Sequence, residues 1–350
     1  MPTSSTERLL GLDLARLLAL IGMVVVNFNV VMLPAAVFDQ SSGLAQLLQG
    51  RAAATFVILA GIGLGLMSQH QNRNRFTRQS IKRILFLCVL GLLNLLIFPA
   101  DIIHYYAFYF LLALPLIHKS STLLGVLIGL LIATFLVLLL TLNYDQGWNW
   151  LTYEYTELWT VSGFIRNLLF NGWHPIIPWF AFILFGLLLS RLDLRKKTIQ
   201  WKLLLLGLSG FLMIEWISHQ SMQYTLTIDP ELPLLFSTQP IPPVPLYLFS
   251  GACFASLVIG LCLLLTKPLS QFRLLPILIS AGQQTLTWYV AHIIIGMSLL
   301  ESMHMIGNQN SATANQAAVI FCSTAIIVGY AWSHFFRRGP LETLMRRLTR

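Results

Sequence analysis

A carboxylate three residues before an imidazole, Asp101 and His104 in Pro99-Ala-Asp-Ile-Ile-His-Tyr-Tyr106, opens an otherwise apolar segment. On a helix that spacing lets the two side chains meet. A carboxylate that orients an imidazole raises its basicity, which is the arrangement a general base needs. The plainer reading makes Asp101 a cap at a helix start announced by Pro99, with His104 at a membrane interface. His292 is the second candidate base. It lies eight residues into the stretch Gln284 to Leu300, about 12 Å along a helix, near a bilayer midplane, with Thr285, Trp288 and Gly296 on its face. Its alternative role is a hydrogen bond across helices.

Other polar residues suit ligand binding better than catalysis. Asp13, Arg16 and Asn27 share one stripe of the first apolar run, while Asn29 points elsewhere. Arg16 is read either as a cation for an anionic ligand or as half of a self-neutralising pair that pins the helix. Arg51 and His174 stand at helix entrances, as substrate contacts or as snorkelling anchors. Trp179 and Trp288 complete the candidate substrate-binding set, and Glu215 is a candidate proton carrier. Cys88, Cys253, Cys262 and Cys322 all fall in apolar runs without a CxxC pair, so neither a disulfide nor a metal site is expected.

The elements that position these groups follow from composition. With 56% hydrophobic and 10% charged residues, against about a quarter charged in a soluble domain, the 350-residue chain reads as an all-α polytopic membrane protein. Apolar runs long enough to cross about 30 Å of hydrocarbon recur along it. About ten are counted: Leu9 to Leu33, Ala52 to Met67, Ile84 to Phe98, Ile102 to Ile117, Leu123 to Leu142, Pro175 to Leu189, Leu203 to Ile217, Leu246 to Leu265, Gln284 to Leu300 and Ala314 to Phe335. The first is read as a retained helix, being longer than a signal peptide's apolar region and lacking an A-x-A site. Of the 22 Lys and Arg residues, all but Arg16, Arg51 and Arg166 fall in segments on one side if both termini are cytoplasmic, as the positive-inside rule requires. The net charge of +9 therefore reflects orientation, and no nucleic-acid partner is expected.

No linker or repeat divides residues 1–350, which read as one integral-membrane domain. Two segments opposite the basic side stand out. Asn143 to His174 is dense in Trp and Tyr, as in an amphipathic helix lying in the interface or a platform on which a sugar stacks. His219 to Pro245 is proline-rich and reads as a rigid extended cap. A polar central cavity is expected from the first, second, fourth, sixth and ninth runs.

Five motifs carry a family resemblance, in order along nearly the whole chain: Leu9-Leu-Gly-Leu-Asp-Leu-Ala-Arg16 with Ile21-Gly-Met23, Gly50-Arg-Ala-Ala-Ala-Thr-Phe-Val-Ile-Leu-Ala-Gly61, His174-Pro-Ile-Ile-Pro-Trp179, Gly282-Gln-Gln-Thr-Leu-Thr-Trp-Tyr-Val-Ala-His292, and Arg338-Gly-Pro-Leu-Glu342. Together they resemble the YeiB-like family of bacterial inner-membrane proteins, itself similar to heparan-alpha-glucosaminide N-acetyltransferase-like enzymes and, more remotely, to membrane acyltransferases of polysaccharides. The resemblance implies a multi-pass bacterial inner-membrane protein that reads acyl-CoA as co-substrate on the cytoplasmic side. The acyl group, acetyl above all, would pass to a hydroxyl or amine of an envelope sugar or lipid. No bound cofactor is implied. Expected partners are membrane lipid, a small-molecule or glycan acceptor, and a second copy of the chain in a homodimer. Where the polysaccharide enzymes have a His near the outer end of the first helix, this chain has Asn27, and Pro34 to Gly50 contain no His. The base must then come from His104, His174 or His292. The competing class is a proton-coupled transporter or flippase with Asp13, Glu215 and His292 as relay; a scaffold held by paired polar groups is the third.

Overall fold

In hydrocarbon a backbone must satisfy its own hydrogen bonds, and a run of leucine does so only as helix. The computed structural model, which describes residues 8–34 and 43–349, is accordingly built almost wholly of helices. In chain order these are α1 (Leu10–Met32), α2 (Gly43–Leu48), α3 (Arg51–Gln69), α4 (Arg73–Leu95), α5 (Ile103–Ala113) and α6 (Ser121–Thr141). A two-residue hairpin, Trp148–Asn149 against Glu154–Tyr155, is followed by α7 (Val161–Arg166), α8 (Ile176–Leu189), α9 (Lys197–Leu226) and α10 (Pro245–Gln271). The chain ends with α11 (Leu275–Gly282), α12 (Thr285–Ala291), α13 (Ser298–Ser302), α14 (Ser311–Phe335) and α15 (Pro340–Thr349). Side-chain caps start several of them: Asn72 accepts from the Asn74 amide, Ser120 from Leu123 and Asn310 from Thr313.

The central helix is α1, which packs against α3, α10, α11 and α14 and is buried over most of its length. α3 reaches α8 closely enough that a Cβ on Gly61 would sit 2.5 Å from the Ile183 carbonyl oxygen. α6, α9 and α14 lie outside, with Leu130, Val137, Leu206, Leu212, Ile320 and Ile327 more than half exposed. Apolar surface on that scale is what a bilayer covers.

Six helices among the described residues are long and apolar enough to cross a membrane: α1, α2 with α3, α6, α9, α10 and α14. Val161–Asn171 with Ile176–Leu189, bent by 48°, makes a seventh if counted as one span. The chain is thus a multi-pass membrane protein. The remaining three expected runs are helical but differ from simple spans. α4 carries Arg73, Arg75, Arg78, Lys82 and Arg83 in its first half, α5 is short, and the ninth run is broken by a π-helical turn at His292–Met297.

The first part of the aromatic segment is a hairpin rather than the amphipathic helix expected, and only its second part is helical, in α7 and the π turn Asn167–Asn171. Gly147 (φ +87°) and Tyr153 (φ +55°) bend the first part into the hairpin, where Trp148 stacks on Trp150 at 4.5 Å and meets Trp173 edge-on at 5.4 Å. The proline-rich segment is shorter than expected because α9 continues to Leu226. A 3-10 turn at Leu232–Phe236 follows, tied back where Ser218 Oγ donates to the Phe236 carbonyl at 2.6 Å.

Arg51 is held in a polar network. Only 4% exposed, it pairs with Glu215 at 2.6 Å, donates to Ser250 Oγ at 3.1 Å and Thr238 Oγ1 at 3.1 Å, and reaches the Leu47 carbonyl at 3.1 Å. Ser250 and Thr238 also donate to Glu215, so one network joins α2, α3, α9, α10 and the proline-rich segment. Breaking a fully buried pair by removing one partner costs about 3 kcal/mol, and less where, as with Glu215 at 33% exposed, one partner reaches solvent, whereas replacing both by apolar residues is often neutral. Arg51→Ala is expected to lower the melting temperature in lipid nanodiscs, and Arg51→Met with Glu215→Leu to restore it. An Arg51→Ala protein that melts with the wild type would refute the structural role.

Candidate active site

The stripe Arg75, Gln79, Arg83, Leu87 recurs every fourth residue and therefore lies along one face of α4. That face lines a cavity of about 620 Å³. Its lining changes character along the stripe, from arginine and glutamine to leucine. At the basic end Arg8, Arg16, Arg337, Arg338 and Arg346 surround it. Toward the interior it is closed by Phe56, Ile102, Ile103, Tyr106 and Tyr289.

Positive charge dominates this cavity. Asp13, 1% exposed, pairs with Arg8 at 2.7 Å and Arg16 at 2.8 Å and accepts from Gln283 at 3.3 Å. Arg83 has no carboxylate partner among the described residues; its one polar contact is to Met67 Sδ at 3.8 Å. The carboxylate on the cavity wall, Glu342, is occupied: it accepts from the Leu286 and Thr287 amides at 2.8 and 3.1 Å and from Thr287 Oγ1 at 2.6 Å. Burial raises its pKa, against the hydrogen bonds that lower it. Through Glu342, α15 caps the start of α12 and fixes Tyr289 one turn further in.

Asp101 and His104 lie just past the closed end of the cavity, 0% and 1% exposed. The structure brings them together, though less tightly than the sequence suggested. His104 Nδ1 is 3.6 Å from Asp101 Oδ2, beyond hydrogen-bond range, and has no partner among the described residues. Asp101 is committed elsewhere. Its Oδ1 accepts from Asn94 Nδ2 at 2.6 Å and Tyr289 OH at 3.2 Å, and its Oδ2 from the Ile103 amide at 2.8 Å; the N-cap position itself is Ile102, so Asp101 holds the helix start from one residue before the cap. α4 presses directly on this turn: a Cβ on Gly91 would come within 2.2 Å of the His104 backbone nitrogen. The His104 ring rests on Tyr105 at 4.0 Å, and Tyr105 donates to Asn167 Oδ1 at 2.6 Å.

A second, smaller pocket of about 60 Å³ lies on the far side, lined by Asn27, Gln49, Ala100, Trp173, His174 and Pro240 among others. Ala100 faces this pocket and Ile102 the larger cavity, so Asp101 sits in the wall between them. Asn27 Nδ2 donates to His292 Nε2 at 3.0 Å, while His292 Nδ1 contacts the Tyr289 carbonyl. These partners assign the proton to Nδ1. His292 is fully buried and begins the π turn, a distortion frequent at functional sites.

The predicted residues therefore separate. Asp13 and Arg16 stand at the basic end, Asn27 and His174 at the small pocket, and Asp101, His104 and His292 in and beside the wall. Trp179 is buried edge-on to His174 at 4.6 Å. Trp288 packs toward Phe321 and Gly329 of α14, and Arg51 is held in its ion pair; both lie outside the two cavities. Of the expected lining helices, α1, α3, α5 and α12 contribute to the large cavity, but α8 does not; α4 and α15 take its place. Asn29, as expected, points elsewhere, to Asn315 and Ser311 of α14. Sequence reasoning missed Arg83, Tyr106, Tyr289, Asn94 and Glu342. For Arg83 a signal existed in the four-residue stripe of α4. Part of the connection between α1 and α2, 35–42, lies outside the described residues.

The family described as heparan-alpha-glucosaminide N-acetyltransferase, catalytic, matches residues 8–230, which include α1, α4, Asp101 and His104. A second, described as a protein of unknown function (DUF418), matches residues 188–350, which include α12, His292 and Glu342. Among curated proteins none is matched. The two matches overlap at 188–230 and jointly take in every element around the wall, so the chain belongs to the YeiB-like family of membrane proteins, related to the heparan-alpha-glucosaminide N-acetyltransferases.

Proposed function

We propose that this protein is a bacterial inner-membrane acyltransferase that takes an acyl group, acetyl in the simplest case, from cytoplasmic acyl-CoA and passes it to a hydroxyl or amine of an envelope sugar or lipid head group. The observation that carries the reading is the wall at Asp101 and His104, with a large arginine-rimmed cavity on one side and a small polar pocket on the other. In this reading the basic end is cytoplasmic, and α4, α5 and the α12–α13 run complete ten spans. The family's named activity supports an acetyl transfer.

The donor's chemistry matches the polarity of the cavity. Its phosphates would meet Arg16, Arg75 and Arg83, where guanidinium forks suit phosphate oxygens. From Arg83 to Gly91, packed on His104, α4 advances about 12 Å, a stretch that a pantetheine arm can run beside Leu87 toward the wall. The acceptor comes from the small pocket, under the Trp148, Trp150 and Trp173 rings, on which a sugar can stack. Its hydroxyl or amine gives a proton to the His104 imidazole and attacks the thioester carbon. The C–S bond then breaks, and the departing thiolate takes the proton. Asn27 and His292 hold the pocket side of the wall in place.

A relay through Asp13, Glu215 and His292 has less support, since the three belong to separate networks with Arg8 and Arg16, with Arg51, and with Asn27. The test is to incubate purified protein in lipid vesicles with acetyl-labelled acetyl-CoA and envelope extract. Label is expected in an acceptor fraction. A protein that labels no acceptor, but carries a labelled solute across the vesicle membrane, would replace this reading with the carrier.

A further inference from the structure

The three tyrosines of α5 are not equivalent. Tyr105 donates to Asn167 Oδ1 at 2.6 Å and Tyr109 to the His174 carbonyl at 2.6 Å. Tyr106, between them, has a hydroxyl with no hydrogen-bond partner among the described residues, although the residue is only 6% exposed. Leaving a buried hydroxyl unpaired costs free energy that phenylalanine at the same position would not. Its ring is held firmly, edge-on to Phe56 at 5.9 Å and to Phe110 at 5.9 Å. The side chain lines the closed end of the arginine-rimmed cavity, beside Ile102 and Ile103. Tyr289, nearby on the same wall, spends its hydroxyl on Asp101 and cannot serve a ligand without releasing it.

We propose that the Tyr106 hydroxyl donates a hydrogen bond to the thioester carbonyl oxygen of the donor, making it a catalytic residue of the acyl transfer; this rests on the acyltransferase reading above. A fixed donor aimed at that oxygen is worth most when the acceptor adds to the carbonyl carbon and negative charge collects on the oxygen. When the tetrahedral intermediate collapses, the carbonyl reforms, the C–S bond breaks, and Tyr106 keeps its own proton throughout. Proton transfer stays with His104. The hydroxyl thereby selects an acyl thioester over free CoA, which has no carbonyl to present.

The test compares wild type with Tyr106→Phe, which keeps the ring and removes only the hydroxyl. The variant is expected to lose about 10²-fold in kcat, to bind free CoA within about twofold of wild type, and to melt at or above the wild-type temperature because no internal hydrogen bond is lost. A non-transferable ketone analogue, acetonyl-CoA, is expected to bind more tightly than CoA to wild type and no more tightly than CoA to Tyr106→Phe. Wild-type turnover with an undiminished variant would overturn the role of Tyr106 while leaving the acyltransferase reading standing. Equal loss of CoA and acetonyl-CoA binding, with a lowered melting temperature, would make Tyr106 a packing residue. A wild type that binds neither CoA nor the ketone would remove the acyltransferase reading and this inference with it.

Discussion

His104→Ala is expected to lower kcat for acyl transfer by about 10³-fold while leaving affinity for CoA close to that of wild type. The expectation follows from position. His104 stands in the wall that Asp101 shares between the two cavities, with its Nδ1 unpartnered, so a substrate proton has an acceptor there that no structural bond competes for. His292 differs: both of its ring nitrogens are engaged, by Asn27 and by the Tyr289 carbonyl. His292→Ala is therefore expected to act through Asn27 and the π turn, with a smaller loss in kcat and a lower melting temperature. Because alanine leaves a hole over the Tyr105 ring, His104→Gln serves as the volume control and should be as inactive as His104→Ala. Measured on purified protein with labelled acetyl-CoA, more than a tenth of wild-type turnover in both His104 variants would remove it as the base. Asp101→Asn tests the neighbouring carboxylate separately. The amide cannot reproduce the acceptor pattern toward Asn94, Tyr289 and the Ile103 amide, so a fall in both activity and melting temperature is expected.

What the sequence disclosed depended on the range over which the signal acts. Hydropathy is a local property, and it located α1 and α6 to within two residues of their observed ends. The nearness of Asp101 and His104 is legible for the same reason, as a three-residue step, although Asp101 precedes the helix that starts at Ile103 and the two side chains stay 3.6 Å apart. Contacts across the bundle have no local signature. Arg51 with Glu215, Asn27 with His292 and Glu342 with Thr287 join residues 164, 265 and 55 apart, and a pattern read window by window assigns each member a separate role. Arg51 accordingly reads as a ligand contact or a snorkelling anchor and Glu215 as a candidate proton carrier, whereas in the fold the two pair with each other. Arg83 shows a second kind of loss. A basic residue near a span end is already explained by orientation, and that explanation hid the stripe it forms with Arg75, Gln79 and Leu87. The helix at α15 went unread because its apolar positions are too few for a span.

Arg83 supplies the second large effect. Arg83→Glu is expected to weaken CoA binding by about 10³-fold, because it removes a guanidinium that no carboxylate among the described residues neutralises and sets a like charge against the phosphates in a partly buried site. Arg78→Glu makes the same change in net charge at an exposed position of α4, outside the cavity, and should alter affinity little at physiological salt, where solvent-exposed charges are screened beyond about 8 Å. The pair separates local phosphate recognition from the general field of the basic end. Acetyl-pantetheine divides the possibilities further, since it keeps the thioester and the arm but has no phosphate. With that donor, Arg83→Glu and wild type should turn over at similar rates if the cavity's wall and its acyl end are intact. An equal loss with acetyl-CoA and acetyl-pantetheine would mean that Arg83 holds α4 against α3 through its contact with Met67, and that the phosphates are read by the other arginines of the rim.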